Sequence, residues 1–354
     1  IHLFSIGVGL IGGTLLEQIR HQAAFLEQER SLEIRVVGIS NSKKMLFTPE
    51  GIDLENWKGA LSTAETAMSF EGFVNKMKDL NLRNSIFIDN TANKEIIRYY
   101  PTILDSSISI STPNKIAVSS DYQSYLNLKG LAQKRGVHMA YETNVGAGLP
   151  VLTTLRDLIT SGDRIQKIEG VLSGSLSFIF YSFNKDIPFS TIVKEAQAAG
   201  YTEPDPREDL SGADVRRKLL ILARESGYAY ESEDIEVKGI LPEDCMAAPD
   251  VPAFFKALEA NDDHFTQLIA AAESEGKVLR FIAKLEQNKA QISLEMVGPE
   301  HPFYSLSGSD NMIVFTTDRY HSRPLVVRGP GAGAEVTAAG VFAEIISISN
   351  QISA

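Results

Sequence analysis

Residues 200–218, GYTEPDPREDLSGADVRRK, crowd acids and bases into one short stretch. Pro204 and Pro206 forbid a helix through its first half and predict an extended loop carrying Glu203, Asp205 and Arg207. Ser211 offers an N-cap oxygen, and the residues after it put Val215, Leu219, Leu222 and Ala223 on one helical face. Asp214 and Lys218, four apart, form the stripe beside that face, so a carboxylate and an ammonium are expected half-buried at its edge, pointing into a cleft. The plain alternative is a solvated ion pair worth roughly 0.2–0.5 kcal/mol to its helix. Glu203 and Asp209 weigh against it, because carboxylates this close repel one another unless a cation sits among them, and a substrate ammonium would serve.

A second constellation lies at the start of the chain. HLFSIGVGLIGG is an apolar strand running into Gly7, Gly9 and Gly12, and residues 14–25 continue as a helix, the context a dinucleotide fingerprint requires. Gly7 makes the tight turn, Gly9 lets a pyrophosphate approach the backbone, and Gly12 lets helix and strand pack closely. The helix N-terminus then offers free N–H groups to the phosphates. The second strand, residues 33–40, ends without the acid that binds ribose hydroxyls in NAD sites; Asn41, Ser42, Lys43 and Lys44 follow instead. Lysines without that acid fit a 2′-phosphate, which favours NADP with NAD as the alternative; two exposed lysines starting a helix are the plainer but less favoured reading.

Around these sites the pattern is α/β. Residues 85–92 form a buried strand whose polar end, Asp89, Asn90 and Thr91, reaches the carboxyl edge where ligands lie. A strand over 106–111 leads into TPNK, with Lys115 at the same edge. A helix over 122–135 and a strand over 137–142 complete a parallel domain. ETNVGAGLP follows; its glycines and proline bar a simple helix start, and Glu142 beside turned carbonyls would make an oxygen-rich nest of the kind that holds a hard monovalent cation, an ordinary loop being the plainer alternative. Beyond it come a helix after Pro150, a strand and a Gly174 turn in 163–183, two short helices, and alternating strands near 278–286, 290–297 and 311–317. That is an inserted α+β domain. The last segment repeats strand, glycine-rich turn and helix and is expected to return to the nucleotide domain with Gly331 and Gly333 near the cofactor.

The chain is 354 residues long and 44% hydrophobic, enough for a large core divided among two or three domains. A net charge of −11 and the lack of any basic run argue against nucleic acid. One cysteine, Cys245, permits no internal disulfide and suits a reducing cytosol; it reads as a structural thiol. The most apolar stretch, VLSGSLSFIFYSF, is too short and serine-rich to span a bilayer. No signal peptide is visible, and a start at Ile1 suggests trimmed ends or a piece cut from a longer chain.

With these motifs in place, GVGLIGG, TPNK, ETNVGAGLP, VLSGS, GYTEPDPREDLSGADVRRK and GAGAEVTAAGVF, the chain resembles homoserine dehydrogenases over nearly its whole length. NSKKMLFTPEGIDLENWKGAL is similar to the dehydrogenase half of fused aspartokinase–homoserine dehydrogenases, so the chain would lack the fused aspartokinase domain. The resemblance implies a Rossmann-type doubly wound nucleotide domain, 1–142 with 323–354, and an inserted α+β substrate-binding and dimerisation domain, 143–322. It implies NAD(P)-dependent interconversion of L-homoserine and L-aspartate 4-semialdehyde in the cytoplasm, towards threonine and methionine. Lys218 matches the family's proton-transfer lysine and Lys115 a second lysine beside the reacting oxygen. Glu203 and Asp214 match substrate carboxylates, with Asp209 nearby. Val8, Leu10, Ile11, Thr91, Lys115 and Gly333 match cofactor contacts beside Gly7, Gly9 and Gly12; Ser175, counted with them, stands where some members have threonine. Glu142, Val145, Ala147 and Leu149 match a monovalent-cation loop, sodium being the expected ion.

The chemistry agrees. An alcohol loses hydride only as its proton goes to a positioned base, and a lysine serves if its pKa falls. A second ammonium at Lys115 and burial would lower it, while Asp214 pulls the other way. Two other readings stand beside this one: an aspartate-semialdehyde dehydrogenase, which needs an acyl-forming cysteine that Cys245 poorly resembles, and a nucleotide-sensing module without turnover. The later strands, VLRFIAKLE and AQISLEMVG, would leave an apolar sheet face exposed in a monomer, which predicts a homodimer.

Overall fold

The apolar run at the start of the chain becomes β1 (His2–Ile6), from which the first sheet grows on both sides. The computed structural model describes residues 1–352. To β1 are added β2 (Arg35–Ser40), β3 (Met45–Phe47), β4 (Ser85–Asp89), β5 (Ser109–Ser111) and β6 (Met139–Ala140), in the order β3-β2-β1-β4-β5-β6. All pairings are parallel except the antiparallel hairpin of β3 on β2. Strands buried on both faces read as continuous apolar runs, and β4 is buried at every residue. On one face Leu3, Ile39 and Ile88 pack with Leu15, Leu16 and Ile19 of the helix Leu10–Arg30 and with Val341 and Ile345 of the terminal helix Ala334–Ile352. On the other, Phe4, Phe47, Phe73, Phe87 and Tyr100 form a chain of rings with centroids 6.3, 4.7, 6.3 and 6.4 Å apart.

The second sheet contains β7 (Ile165–Val171), β8 (Ile235–Val237), β9 (Val278–Glu286), β10 (Lys289–Val297), β11 (Asp310–Thr317) and β12 (Leu325–Pro330), ordered β12-β11-β7-β9-β10-β8. Gln287 and Asn288, at φ +51° and +63°, make the tight left-handed turn that joins β9 to β10. One face carries Phe281 against Gly212 and the helix Ala213–Glu225. On the other, Val171, Ile282, Val297, Met312 and Val314 are buried with Phe303 and Leu306, at the turn Pro302–Ser305. Arg280 anchors that turn: its buried guanidinium donates to the carbonyls of Phe303, Phe180 and Leu306 at 3.1, 3.1 and 2.9 Å.

The strands expected to expose an apolar face therefore do not. Their large side chains are covered within the chain, with Met296 the exception at 38% exposure. The physical argument for a homodimer from that face is lost.

Two compact units result: Ile1–Gly148 with the segment from Ala332, and Leu149–Gly331. The boundaries expected from sequence shift at both crossings. The strand after residue 323 is β12, which pairs antiparallel with β11 and so belongs to the second sheet. Residues 143–148 stay with the first unit because they pack on the terminal helix: a Cβ on Gly148 would lie 2.4 Å from the Val336 carbonyl oxygen, and one on Gly340 2.5 Å from Thr143. Two local details also differ. Pro206, at φ −60°, starts a helical turn, Arg207–Leu210, where an extended loop was expected. Gly212, at φ +72°, occupies the N-cap of the lysine-bearing helix, and Ser211 accepts the Ala213 N–H beside it.

Candidate active site

The glycine turn follows from local sterics. Gly7 has φ +81°, and a Cβ there would meet Thr91 Cγ2 at 2.7 Å. A Cβ on Gly12 would meet the Gly7 carbonyl oxygen at 2.4 Å, so helix and turn close on each other only without a side chain. Gly9 differs: nothing lies within 4 Å of a Cβ there, which leaves open space above the backbone. The helix Leu10–Arg30 begins at that point with no side-chain cap and no acid in its first turn, and Leu10 is 78% exposed. Uncapped N–H groups facing open space suit a pyrophosphate. A cavity of about 570 Å³ is lined by Gly7, Val8, Gly9, Ser40, Asn41 and Thr91 among others. Ser40 and Asn90 both line it, and each holds a buried oxygen, Ser40 Oγ and Asn90 Oδ1, without a hydrogen-bond partner. A larger groove of about 840 Å³ beside Met45–Phe47 has exposed Glu65, Lys76 and Asp79 at its rim and none of these features.

Residues 41–44 are not a helix start. Asn41 Oδ1 accepts the N–H groups of Lys43 and Lys44, both at 2.8 Å, and β3 follows at once. With its oxygen so occupied, Asn41 offers outward only its amide N–H groups.

At the carboxyl edge, Asp89 is buried and accepts Thr91 N–H at 2.8 Å, Tyr100 OH at 2.7 Å and Asn114 Nδ2 at 3.0 Å. Burial pushes the Asp89 carboxyl above its ordinary range. Lys115 follows Asn114, and its carbonyl accepts the N–H and hydroxyl of Ser119 at 3.0 and 2.9 Å. Asp89 and Asn114 are expected from sequence only at the carboxyl edge, and the bond between them is new in the structure.

In the 142–149 turn, Gly146 and Ala147 take φ +80° and +52°, and Glu142 is buried. Buried Glu344 of the terminal helix accepts the Glu142 N–H and the Ser111 hydroxyl. Thr143 Oγ1 and Asn144 Oδ1 are buried without a partner, so the turn holds unsatisfied oxygen of the type a hard cation takes. Leu149 begins the second unit, and its carbonyl accepts Val151 N–H at 2.9 Å. Among the described residues no group of three or more His, Cys, Asp or Glu could hold a metal ion. Gly333, at φ +121°, lies just before the terminal helix.

In the second unit Lys218 is 8% exposed, deeper than the helix-edge position expected of it. Its ammonium donates to the Leu172 carbonyl at 2.7 Å and pairs with Asp214 at 2.8 Å. Leu172 O also accepts Asn311 Nδ2 at 3.2 Å, a long-range contact with no local sequence signal. Ser173 caps the helix Gly174–Ser182, and Ser175 Oγ donates to Asp209 Oδ1 at 2.8 Å. Asp209 Oδ2 accepts the Glu203 N–H at 2.8 Å, so both its oxygens organise the loop. Glu203 itself is exposed. Asp205 is neutralised by Arg207, which forks onto it at 2.6 and 2.9 Å and holds its carboxyl below the ordinary range. Cys245 is free and buried, with its thiol pushed up to about 11 chiefly by burial, as fits a structural cysteine.

A doubly wound sheet with an open glycine turn, joined in one chain to an α+β unit bearing a buried lysine paired with a carboxylate, defines a dinucleotide-binding protein of the dehydrogenase type. Residues 7–142 match the family model for the homoserine dehydrogenase NAD binding domain, and residues 150–346 match that for homoserine dehydrogenase. This chain belongs to the homoserine dehydrogenase family, and its first unit carries that family's nicotinamide dinucleotide-binding domain. The homoserine dehydrogenase of Schizosaccharomyces pombe is 41% identical, with 100% of this chain and 96% of the yeast protein covered. A chloroplastic bifunctional aspartokinase/homoserine dehydrogenase 2 of Zea mays is 44% identical over 99% of this chain, which spans 38% of the maize protein's length. Among solved structures, a Candida auris protein of unknown function superposes with a TM-score of 0.92 at 35% identity, covering 99% of each chain. A hyperthermophilic archaeal homoserine dehydrogenase in complex with NADPH shares the fold at a TM-score of 0.76 and 23% identity, covering 99% of this chain and 98% of the archaeal one. No helix among the described residues is long and apolar enough to cross a membrane.

Proposed function

We propose that this chain interconverts L-homoserine and L-aspartate 4-semialdehyde with NADP(H), using Lys218 to move the proton. The observation that carries this reading is the fixing of a buried ammonium by Leu172 O and Asp214. A lysine nitrogen has four tetrahedral directions: one to carbon, two here directed at the fixed acceptors, and one left over. Charged, Lys218 has an N–H in that last direction and gives its proton to a carbonyl oxygen as the aldehyde is reduced. Neutral, it has a lone pair there and takes the proton of the alcohol as it is oxidised. Glu203 and Asp214 receive the substrate ammonium, and Asp209 keeps the Glu203 loop in place. Lys115 is the second lysine of the reaction.

The open backbone at Gly9, the uncapped helix after it and the unpartnered Ser40 and Asn90 oxygens suit a nicotinamide dinucleotide. When bound, that cofactor supplies or receives the hydride. Asn41, left with only its amide N–H groups to offer, and the lack of an acid at the end of β2 favour a 2′-phosphate over a bare ribose diol, hence NADP over NAD. The oxygens of the 142–149 turn suit a sodium ion, with Glu142 and the carbonyls of Val145, Ala147 and Leu149 as ligands. A homodimer in the cytosol completes the reading, checked by light scattering and cell fractionation.

Following the absorbance of the reduced cofactor with aspartate semialdehyde tests the reaction. No cofactor-dependent turnover of this substrate, or of homoserine in reverse, rules it out and leaves a nucleotide-sensing module.

A further inference from the structure

We propose that Asp89 and Asn114 act as positioning residues for Lys115, one buried carboxylate setting the Lys115 loop and the cofactor-facing Thr91 in a single register. This rests on the reading of Lys115 as a lysine of the reaction.

The donors that reach the Asp89 carboxylate, from Thr91, Tyr100 and Asn114, are neutral and bring three segments of the first unit together. Oδ1 accepts Thr91 N–H at 2.8 Å, and Thr91 is the residue whose methyl crowds Gly7 in the glycine turn. Oδ2 accepts Asn114 Nδ2 at 3.0 Å and Tyr100 OH at 2.7 Å. The Asp89 carbonyl accepts Thr112 Oγ1 at 2.8 Å, and Thr112 Oγ1 in turn accepts the Asn114 N–H at 2.9 Å. Asn114 has then spent both ends of its side chain: Nδ2 also donates to Asn93 O at 3.0 Å, and Oδ1 accepts Ile116 N–H at 3.1 Å.

Lys115 is thus held from both sides by one asparagine, through that residue's own N–H and through the N–H of Ile116. Its backbone has little freedom left, although its side chain is only partly buried. A buried carboxylate served by neutral donors, with no ion pair to a cation among the described residues, is costly as a stability device alone. What it does achieve is geometric: two loops at the carboxyl edge of β4 and β5 share one anchor. Alignment of a reacting group is sensitive to shifts of this size, a displacement of about 1 Å being worth roughly 100-fold in rate.

The test is a double-mutant cycle of Asn114→Ala and Lys115→Ala, read as kcat, as KM for aspartate semialdehyde and as NADPH affinity by fluorescence. Asn114→Ala is expected to lower kcat at least about 10-fold, with a clearly smaller loss of NADPH affinity, since the Lys115 loop shifts while the glycine turn is untouched. In the Lys115→Ala background the same substitution should cost nothing further, because the group it positions is gone. Additive losses, or normal kcat in Asn114→Ala, overturn the inference. Normal turnover in Lys115→Ala overturns it too by removing the role of Lys115, and leaves Lys218 standing. If Asn114→Ala does not fold, Asn114→Ser, which also lacks the amide reaching Asp89 and Asn93, is read in the same cycle.

Discussion

Ser175 Oγ lies 2.8 Å from Asp209 Oδ1, and through this bond the turn after β7 and the loop ahead of the lysine-bearing helix hold each other. Because the other Asp209 oxygen receives Glu203 N–H, Asp209→Ala should release the Glu203 loop. Expected are a raised KM for homoserine and a reduced kcat, by about 10-fold or more, with NADPH affinity retained. Loss of cofactor affinity in parallel would place Asp209 elsewhere in the mechanism.

Glu203→Gln removes an exposed charge and none of the observed loop bonds. Homoserine binding should weaken more than NADPH binding, and the thermal midpoint should not move. Equal weakening of both ligands speaks against an ammonium-binding role.

Lys218→Ala deletes the proposed proton carrier. Turnover should fall by roughly 10²–10⁴ while cofactor affinity persists. Lys218→Met, which keeps most of the buried volume, separates loss of the ammonium from loss of packing; near-normal turnover in either variant removes the assignment.

Asn41→Asp keeps an oxygen for the Lys43 and Lys44 N–H groups and adds a carboxylate where a ribose diol would bind. The ratio of kcat/KM for NADPH over NADH should drop by about 10-fold or more, since a charge facing a 2′-phosphate repels it. An unchanged ratio means that another surface selects the cofactor.

Glu169 offers a pH-dependent signature independent of catalysis. Burial alone would raise its carboxyl, but hydrogen bonds from His301 and Lys167 outweigh it and hold the group at about 2, against 4.5 for an ordinary glutamate. The unfolded chain therefore binds the proton first. Stability from this group is present above pH 4.5 and is lost as pH falls towards about 2. Denaturant unfolding of Glu169→Gln should show a shallower loss over that window than the parent, and parallel curves would refute the linkage.

Features that depend on a few consecutive residues were legible without coordinates. The glycine turn needs only the φ freedom of Gly7 and small side chains at Gly9 and Gly12, and the helix Tyr122–Arg135 and strand β9 follow their own apolar periods. So did the pairing of Asp214 with Lys218, since four residues make one helical turn. Membership of β12 in the second sheet could not be read that way, because strand partners are chosen by whichever edge is open after folding. Nor could the Leu172 carbonyl beneath Lys218, the Glu344 bond to Glu142, or the Asp89 anchor of Asn114. Chemistry at each of these positions is carried by a side chain written in the sequence, but the partner that orients it arrives from a distant segment. A buried polar group must be satisfied by whatever the completed fold brings within reach, and only the tertiary structure decides what that is.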